Sequence, residues 1–264
     1  MVYPLIQSIW LSMLQTYGPE YTKFIGLENF WHLLRDKEFH LAARNTLLYT
    51  LGSLVIQLPI ALGLAILLNR PRLRGRTFFR LVFFAPSLVG LVFAAMMFSL
   101  LFGAKAGLLN EMLRHVVPGF PPEFPWLQEY VMTSLIVASL WMYAGYNMIY
   151  FLAALQNVDP SLGEAAQIDG ANAWQRFLHV TLPEIRPVAG FVTLLSVIGS
   201  LQLFELPFVL LDGAGPENRG LTLVMYLYQN GFERNDLGYA SAIGWVLAAF
   251  LASIALAQRR LIRE

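Results

Sequence analysis

Few side chains in this 264-residue chain can do covalent chemistry. It has no cysteine, so thiolate nucleophiles, thiolate metal sites and disulfides are excluded. The four histidines, His32, His40, His115 and His179, are scattered and form no metal or nucleophile constellation. No Gly-x-x-x-x-Gly-Lys-Ser/Thr occurs, so the chain carries no phosphate-cradling loop of its own. What remains are polar groups where polar groups are costly. Glu205 is the one acid inside an apolar stretch, and Gln202 precedes it by three residues, on the same face if that stretch is helical. Tyr143, Asn147 and Tyr150 recur at i, i+4 and i+7 on another stretch, flanked by Trp141 and Tyr146. Aromatic faces beside amides and a carboxylate suit sugars, whose C–H faces stack while their hydroxyls hydrogen-bond. The plainer alternatives are an interfacial aromatic belt, and amides that only hold helices together.

The second group of candidates is Glu164 to Pro187, EAAQIDGANAWQRFLHVTLPEIRP, the one long polar connection in an apolar region. Asp159-Pro160 predicts a capped helix start. Leu162, Ala165, Ala166 and Asp169 would share a face, and the two small alanines would let a partner surface approach closely. Gly170 can end that helix at positive φ. A second helix is expected over Asn172 to Val180, presenting Trp174, Phe177 and Leu178. Pro183 is expected to end it and Pro187 to start the next apolar stretch.

Composition says where these groups sit. The chain is 57% hydrophobic and 13% charged, with a mean hydropathy of +0.55. Soluble domains average about 25% charged residues, so the excess apolar surface is expected to face lipid. A net charge of +1 argues against nucleic acid as a partner. Five full spans are expected: Ala42 to Leu68, Leu81 to Phe102, Tyr130 to Leu155, Val188 to Leu211 and Leu237 to Ala257. Met1 to Met13 is apolar, but at about 1.5 Å per residue it falls short of a ~30 Å hydrocarbon core, so it reads as a trimmed or abbreviated span. No cleavable signal peptide is evident. Leu27 to Leu34 suggests a short interfacial amphipathic helix, and Leu108 to Val116 a short helix in an outer loop. The expected fold is therefore an all-α polytopic membrane protein forming one domain, residues 1–264.

Orientation follows from arginine. Arg70, Arg72, Arg74, Arg76 and Arg80 crowd one twelve-residue loop, and Arg259, Arg260 and Arg263 lie in the tail. The positive-inside rule places these segments, the loop at 155–187 and the C-terminus in the cytoplasm.

At this point the residues resemble a known family. Glu164-Ala165-Ala166, two residues, Asp169-Gly170-Ala171, then Phe177, Leu182-Pro183 and Pro187 look like the EAA loop of ABC importer permeases. GLENFWHLLRD, GRTFFRLVFFAPSLVG, LQNVDPSLGEAAQIDGA and GYASAIGWVLAA are similar, in order, to the maltose-type carbohydrate permeases. The resemblance covers nearly the whole chain. Two features depart from it: the short first helix, and LLDGAGPENRG, one residue longer than the family's threonine-x-glycine-glycine-proline segment.

The resemblance implies a type I ABC importer transmembrane domain in a bacterial inner membrane. It implies that Glu164, Ala165, Ala166, Asp169, Gly170, Ala171, Phe177 and Pro183 belong to a coupling surface that docks on a separate ATPase. Implied partners are a second homologous permease, an ATPase dimer holding ATP and Mg, and an extracytoplasmic solute-binding protein. The family's pathway would run along the spans bearing Tyr143, Asn147, Tyr150, Gln202 and Glu205, though Glu205 would equally suit a structural pair with the second permease. A sugar or sugar derivative is the implied cargo; a glycerol-phosphate-type polyol ester, an amino acid or another small polar solute is the alternative. A membrane enzyme would need a catalytic cluster within the spans, and a channel would need no motor-docking loop.

Overall fold

A computed structural model describes residues 2–18, 21–70, 73–105 and 107–263. Arg72 and Glu264 lie outside the described residues, as do the side chains of Arg259 and Arg263. Helix α1 (Val2–Ser12) leads into a hairpin, β1 (Leu14–Tyr17) and β2 (Tyr21–Phe24), then α2 (Glu28–Leu33) and α3 (Lys37–Leu68). Helices α4 (Arg76–Phe84) and α5 (Leu91–Leu101) follow, joined by a 3-10 turn, Ala85–Leu88. Helix α6 (Leu108–Val116) precedes α7 (Val131–Gln156). Then come α8 (Pro160–Ile168), α9 (Ala173–Arg176), a π turn (Phe177–Thr181), α10 (Leu182–Leu201) and α11 (Glu205–Leu210). Helices α12 (Leu223–Tyr228) and α13 (Leu237–Arg263) complete the chain.

Among the described residues four helical stretches are long and apolar enough to cross a membrane, namely Lys37–Leu68, Val131–Gln156, Ala173–Leu201 and Leu237–Gln258. The expected span Leu81 to Phe102 is not one straight helix: the chain bends by 99° between Arg76–Leu88 and Leu91–Leu101. Pro86 sits in the intervening turn, where it donates no hydrogen bond, and Gly90 is extended at ψ 143. The corner seats on α7, where Gly145 replaces a side chain with backbone contact.

Two further expectations need correction. Pro183 does not end a helix and Pro187 does not start one, because Ala173–Leu201 runs helically through both. The π turn widens the backbone just before Pro183, whose ring enters in the first turn of α10, where a missing N–H is tolerated. The expected span Val188 to Leu211 instead starts earlier and breaks at Gln202–Phe204. Pro207 explains the break. Its ring would clash with the carbonyl four residues back, so the helix stops and restarts with Pro207 in the first turn of α11. The freed carbonyl of Leu203 accepts a hydrogen bond from the Thr222 hydroxyl at 2.7 Å.

Helix packing uses small residues, since lipid supplies no hydrophobic drive between spans. Buried Ala61 and Ala65 of α3 let Met148, Phe151 and Leu152 of α7 approach, with Ile185 and Val192 of α10 closing the cluster. Helix α1 lies along α13, where the Trp245 indole donates to the Ser8 hydroxyl at 3.2 Å. The β1–β2 hairpin, not anticipated within Gln15 to Leu41, pairs Leu14 with Phe24 and Tyr17 with Tyr21. The short helix expected over Leu27 to Leu34 is present as α2, and that over Leu108 to Val116 as α6.

Buried polar residues at the start of α3 hold the loop between α11 and α13. Asn45 donates to the carbonyls of Asn218 and Leu221, at 3.0 and 3.1 Å, and the Thr46 hydroxyl accepts from the Leu223 amide at 2.9 Å. Asp36 caps α3 by accepting from the Glu38 amide at 2.9 Å, and its other oxygen accepts from the hydroxyls of Tyr226 and Tyr239. One carboxylate thus ties the first long helix to α12 and α13.

Candidate functional site

The candidate residues fall at two places on the same pair of helices, α7 and α10. At one end lies the loop. Asp159 caps α8 by accepting from the Ser161 amide at 2.9 Å, and that backbone bond holds its carboxyl below the ordinary aspartate range. Helix α8 closes with Gly170 at φ +84, the Ala171 amide reaching Ala166 and the Gly170 amide reaching Gln167. This 6→1 plus 5→2 pattern is a Schellman motif, and it needs a left-handed residue where the glycine stands. Helix α9 starts with a reciprocal capping box between Asn172 and Gln175. Arg176 reaches back to Gln167 at 3.2 Å, bracing α9 against α8.

The result is one short helix, α8, turned against the start of the long helical stretch Ala173–Leu201, with a cleft of about 360 Å³ lined in part by Ala166, Asp169, Gly170 and Ala171. Glu164, Ala165, Asp169, Gly170 and Pro183 are exposed, while Ala166, Ala171 and Phe177 are half-buried. Trp174 stacks near Phe177, with ring centroids 5.6 Å apart. Ile168 is 86% exposed and Trp174 66%, so the loop presents apolar side chains on an otherwise polar connection.

Farther along the same helices, midway along α7 and near the far end of α10, is a cavity of about 380 Å³. Helix α7 contributes Tyr143, Tyr146 and Asn147, and α10 contributes Ser196, Gly199 and Ser200. Gln202 and Glu205 line it from either side of the helix break. Their shared outlook therefore comes from the non-helical turn between them rather than from an i, i+3 helical face. Asn147 donates to the Ser196 hydroxyl at 3.4 Å, joining the two helices at the cavity wall.

Tyr150 does not line this cavity. Its hydroxyl instead shares a 2.9 Å hydrogen bond with Tyr146, and its ring meets Phe191. Trp141 packs edge-on against Phe98. Sequence reasoning missed Tyr49 and Gln57, which line the cavity from α3. The signal was available: Tyr49, Ser53 and Gln57 recur every four residues inside an apolar span. Gln57 donates to the Ser139 carbonyl at 3.2 Å, fixing α3 against α7 beside the cavity.

The cavity offers hydroxyls, amides, one carboxyl group and aromatic faces, and no group of three or more His, Asp or Glu stands ready for a metal among the described residues.

Comparison with known proteins agrees with this geometry. The family model described as binding-protein-dependent transport system inner membrane component matches residues 57–263. The chain is 39% identical over 262 residues to the arabinooligosaccharides transport system permease protein AraP of Bacillus subtilis (strain 168), covering 98% of this chain and 82% of AraP. It is 36% identical over 268 residues to the lactose transport system permease protein LacF of Rhizobium radiobacter, covering 100% of this chain and 89% of LacF. Among solved structures, a bacterial ABC transporter involved in the import of the acidic polysaccharide alginate superposes with a TM-score of 0.84 at 25% identity, covering 100% of this chain and 89% of that one. The chain therefore belongs to the binding-protein-dependent transport system inner membrane components, and it is a multi-pass permease of the ABC transporter class.

Proposed function

We propose that this chain is one of two permease subunits of an ATP-driven importer whose cargo is a sugar or sugar derivative. One observation carries the reading: the exposed loop joins the end of α7 to the start of α10, and a polar, aromatic cavity lies farther along the same two helices, midway along α7 and near the far end of α10. A rigid-body tilt of these helices would link the loop to the cavity without any chemistry in this chain. The names of the relatives, arabinooligosaccharides and lactose among them, support a sugar cargo.

In this reading residues 155–187 face the cytoplasm together with the C-terminus, and the loop docks on a dimer of ATPase subunits that bind ATP and Mg. Glu164, Ala165, Ala166, Asp169, Gly170, Ala171, Phe177 and Pro183 form or position that surface. A second homologous permease completes the pathway, with lipid around both, and an extracytoplasmic binding protein delivers cargo to the outer loops. Tyr143, Asn147, Gln202 and Glu205 contact cargo, joined by Tyr49, Tyr146 and Gln57. Tyr150 acts one step back, orienting Tyr146. Closure of the ATPase dimer pulls the loop, and the cavity alternates between outward and inward access.

The test is co-expression with a candidate ATPase, second permease and binding protein from the same organism. The expected result is a heteromeric complex whose ATP hydrolysis rises when the binding protein is loaded with a sugar or sugar derivative. A functional homo-oligomer without an ATPase would contradict the reading.

A further inference from the structure

This chain contributes one formally charged side chain to the cavity, and it is an acid. Glu205 lines it, and no Lys, Arg or His does. The side chain is exposed to the cavity space, and among the described residues no ion pair joins it to a cation. Around it the polar groups are uncharged: Tyr143, Asn147, Ser196, Ser200 and Gln202. Leu91, Leu195 and Phe204 supply apolar wall. No basic side chain of this chain lines the cavity to cancel the field of that carboxylate.

We infer that Glu205 makes this cavity a charge filter, admitting neutral or cationic solutes and turning away anionic ones such as uronates and phosphate esters. The inference rests on the cavity being the sugar path proposed above, and it narrows that path to uncharged sugars. It also separates the fold from the cargo. The solved transporter that shares this backbone is involved in importing an acidic polysaccharide, so the backbone accommodates acidic cargo and the side chains at the cavity must set the sign. Helix α11 has a second use for Glu205, since an acid in the first turn favours a helix N-terminus. That use does not require the carboxyl group to face a cavity.

The absence of cysteine in this chain permits a test that needs no knowledge of the cargo. A Cβ built at Gly199 meets nothing within 4 Å, so Gly199→Cys places a reporter thiol in the cavity without a clash. Ser196→Cys is a second, near-isosteric reporter. In the assembled transporter in lipid, labelling of this chain is followed by mass with three methanethiosulfonates: cationic trimethylammonioethyl, anionic sulfonatoethyl and neutral hydroxyethyl. The expected cation-to-anion rate ratio is about tenfold above that of a free thiol. Glu205→Gln should return it to the free-thiol value, and Glu205→Lys should invert it. A ratio equal to that of the free thiol at both reporters, or one unmoved by Glu205→Gln, would overturn the filter. A separate arm measures whether arabinotriose slows labelling by the neutral reagent. Charge bias without such protection upholds the filter and counts against the sugar path instead.

Discussion

A Cβ placed on Gly145 would lie 1.8 Å from the carbonyl oxygen of Phe83. The corner of the bent α4–α5 segment therefore rests on the bare backbone of α7, directly before the cavity residues Tyr146 and Asn147. Backbone, unlike a long side chain, cannot step aside. Gly145→Ala should force α7 and the corner apart, costing about 1–3 kcal/mol by overpacking. A thermal melt of the detergent-solubilised complex, several degrees below the unmodified protein, is the expected readout, with reduced uptake.

The Asp36 network predicts a pH dependence. Burial alone would raise the pKa of Asp36, but the hydroxyls of Tyr226 and Tyr239 and the amides of Glu38 and Phe39 outweigh it and hold it below the ordinary value. A lowered carboxylate pKa stabilises the fold above the unfolded value, about 3.9, and that stabilisation is lost as pH falls through the folded value. Asp36→Asn should lower stability at neutral pH by on the order of 1–2 kcal/mol. It should also flatten the fall in stability below about pH 4. Melting curves from pH 3 to 7 check both.

Gly170 tests the loop's architecture without touching a neighbour. A Cβ there meets nothing within 4 Å, so the only cost of Gly170→Ala is its φ of +84. That cost is about 1–2 kcal/mol, borne locally by the Schellman turn. The expected outcome is normal membrane insertion with weaker retention of the ATPase on affinity purification; Gly170→Pro should release it altogether.

The cavity assignment separates Asn147 from Tyr150, which sequence spacing grouped together. Asn147→Ala should raise the KM for uptake about tenfold, the equivalent of one lost hydrogen bond to cargo. Tyr150→Phe should stay within about twofold, because Tyr150 meets Tyr146 rather than the cavity. Uptake kinetics in proteoliposomes distinguish the two.

These cases show what the sequence could and could not reveal. The first half of the loop was legible because its signals are local: a capping aspartate before a proline, and a glycine for a left-handed turn. Gln202 and Glu205 were found as polar residues in an apolar stretch, yet the helix break between them was not. Pro207, which forces that break, acts through the carbonyl four residues earlier, and Thr222 stabilises it from a different segment. Tyr150 was misplaced because a stripe at i, i+4 and i+7 fixes a helix face but not what that face meets. The Asp36 network joins residues 190 and 203 positions apart in sequence, and no local pattern signals it. The bend at Pro86 and Gly90 was hidden because hydropathy reads the same for a straight span and a folded one.

The central claim is that the surface at Glu164 transmits ATP-driven movement to α7 and α10. The most direct measurement is ATP hydrolysis stimulated by loaded binding protein, in proteoliposomes carrying the complex with Glu164→Ala. Glu164 is exposed and makes no ion pair among the described residues, so its removal should leave insertion of this chain intact. The account predicts that stimulation and uptake fall together by at least about tenfold, the scale of one interfacial charge contact. Stimulation and uptake at the level of the unmodified complex would contradict it.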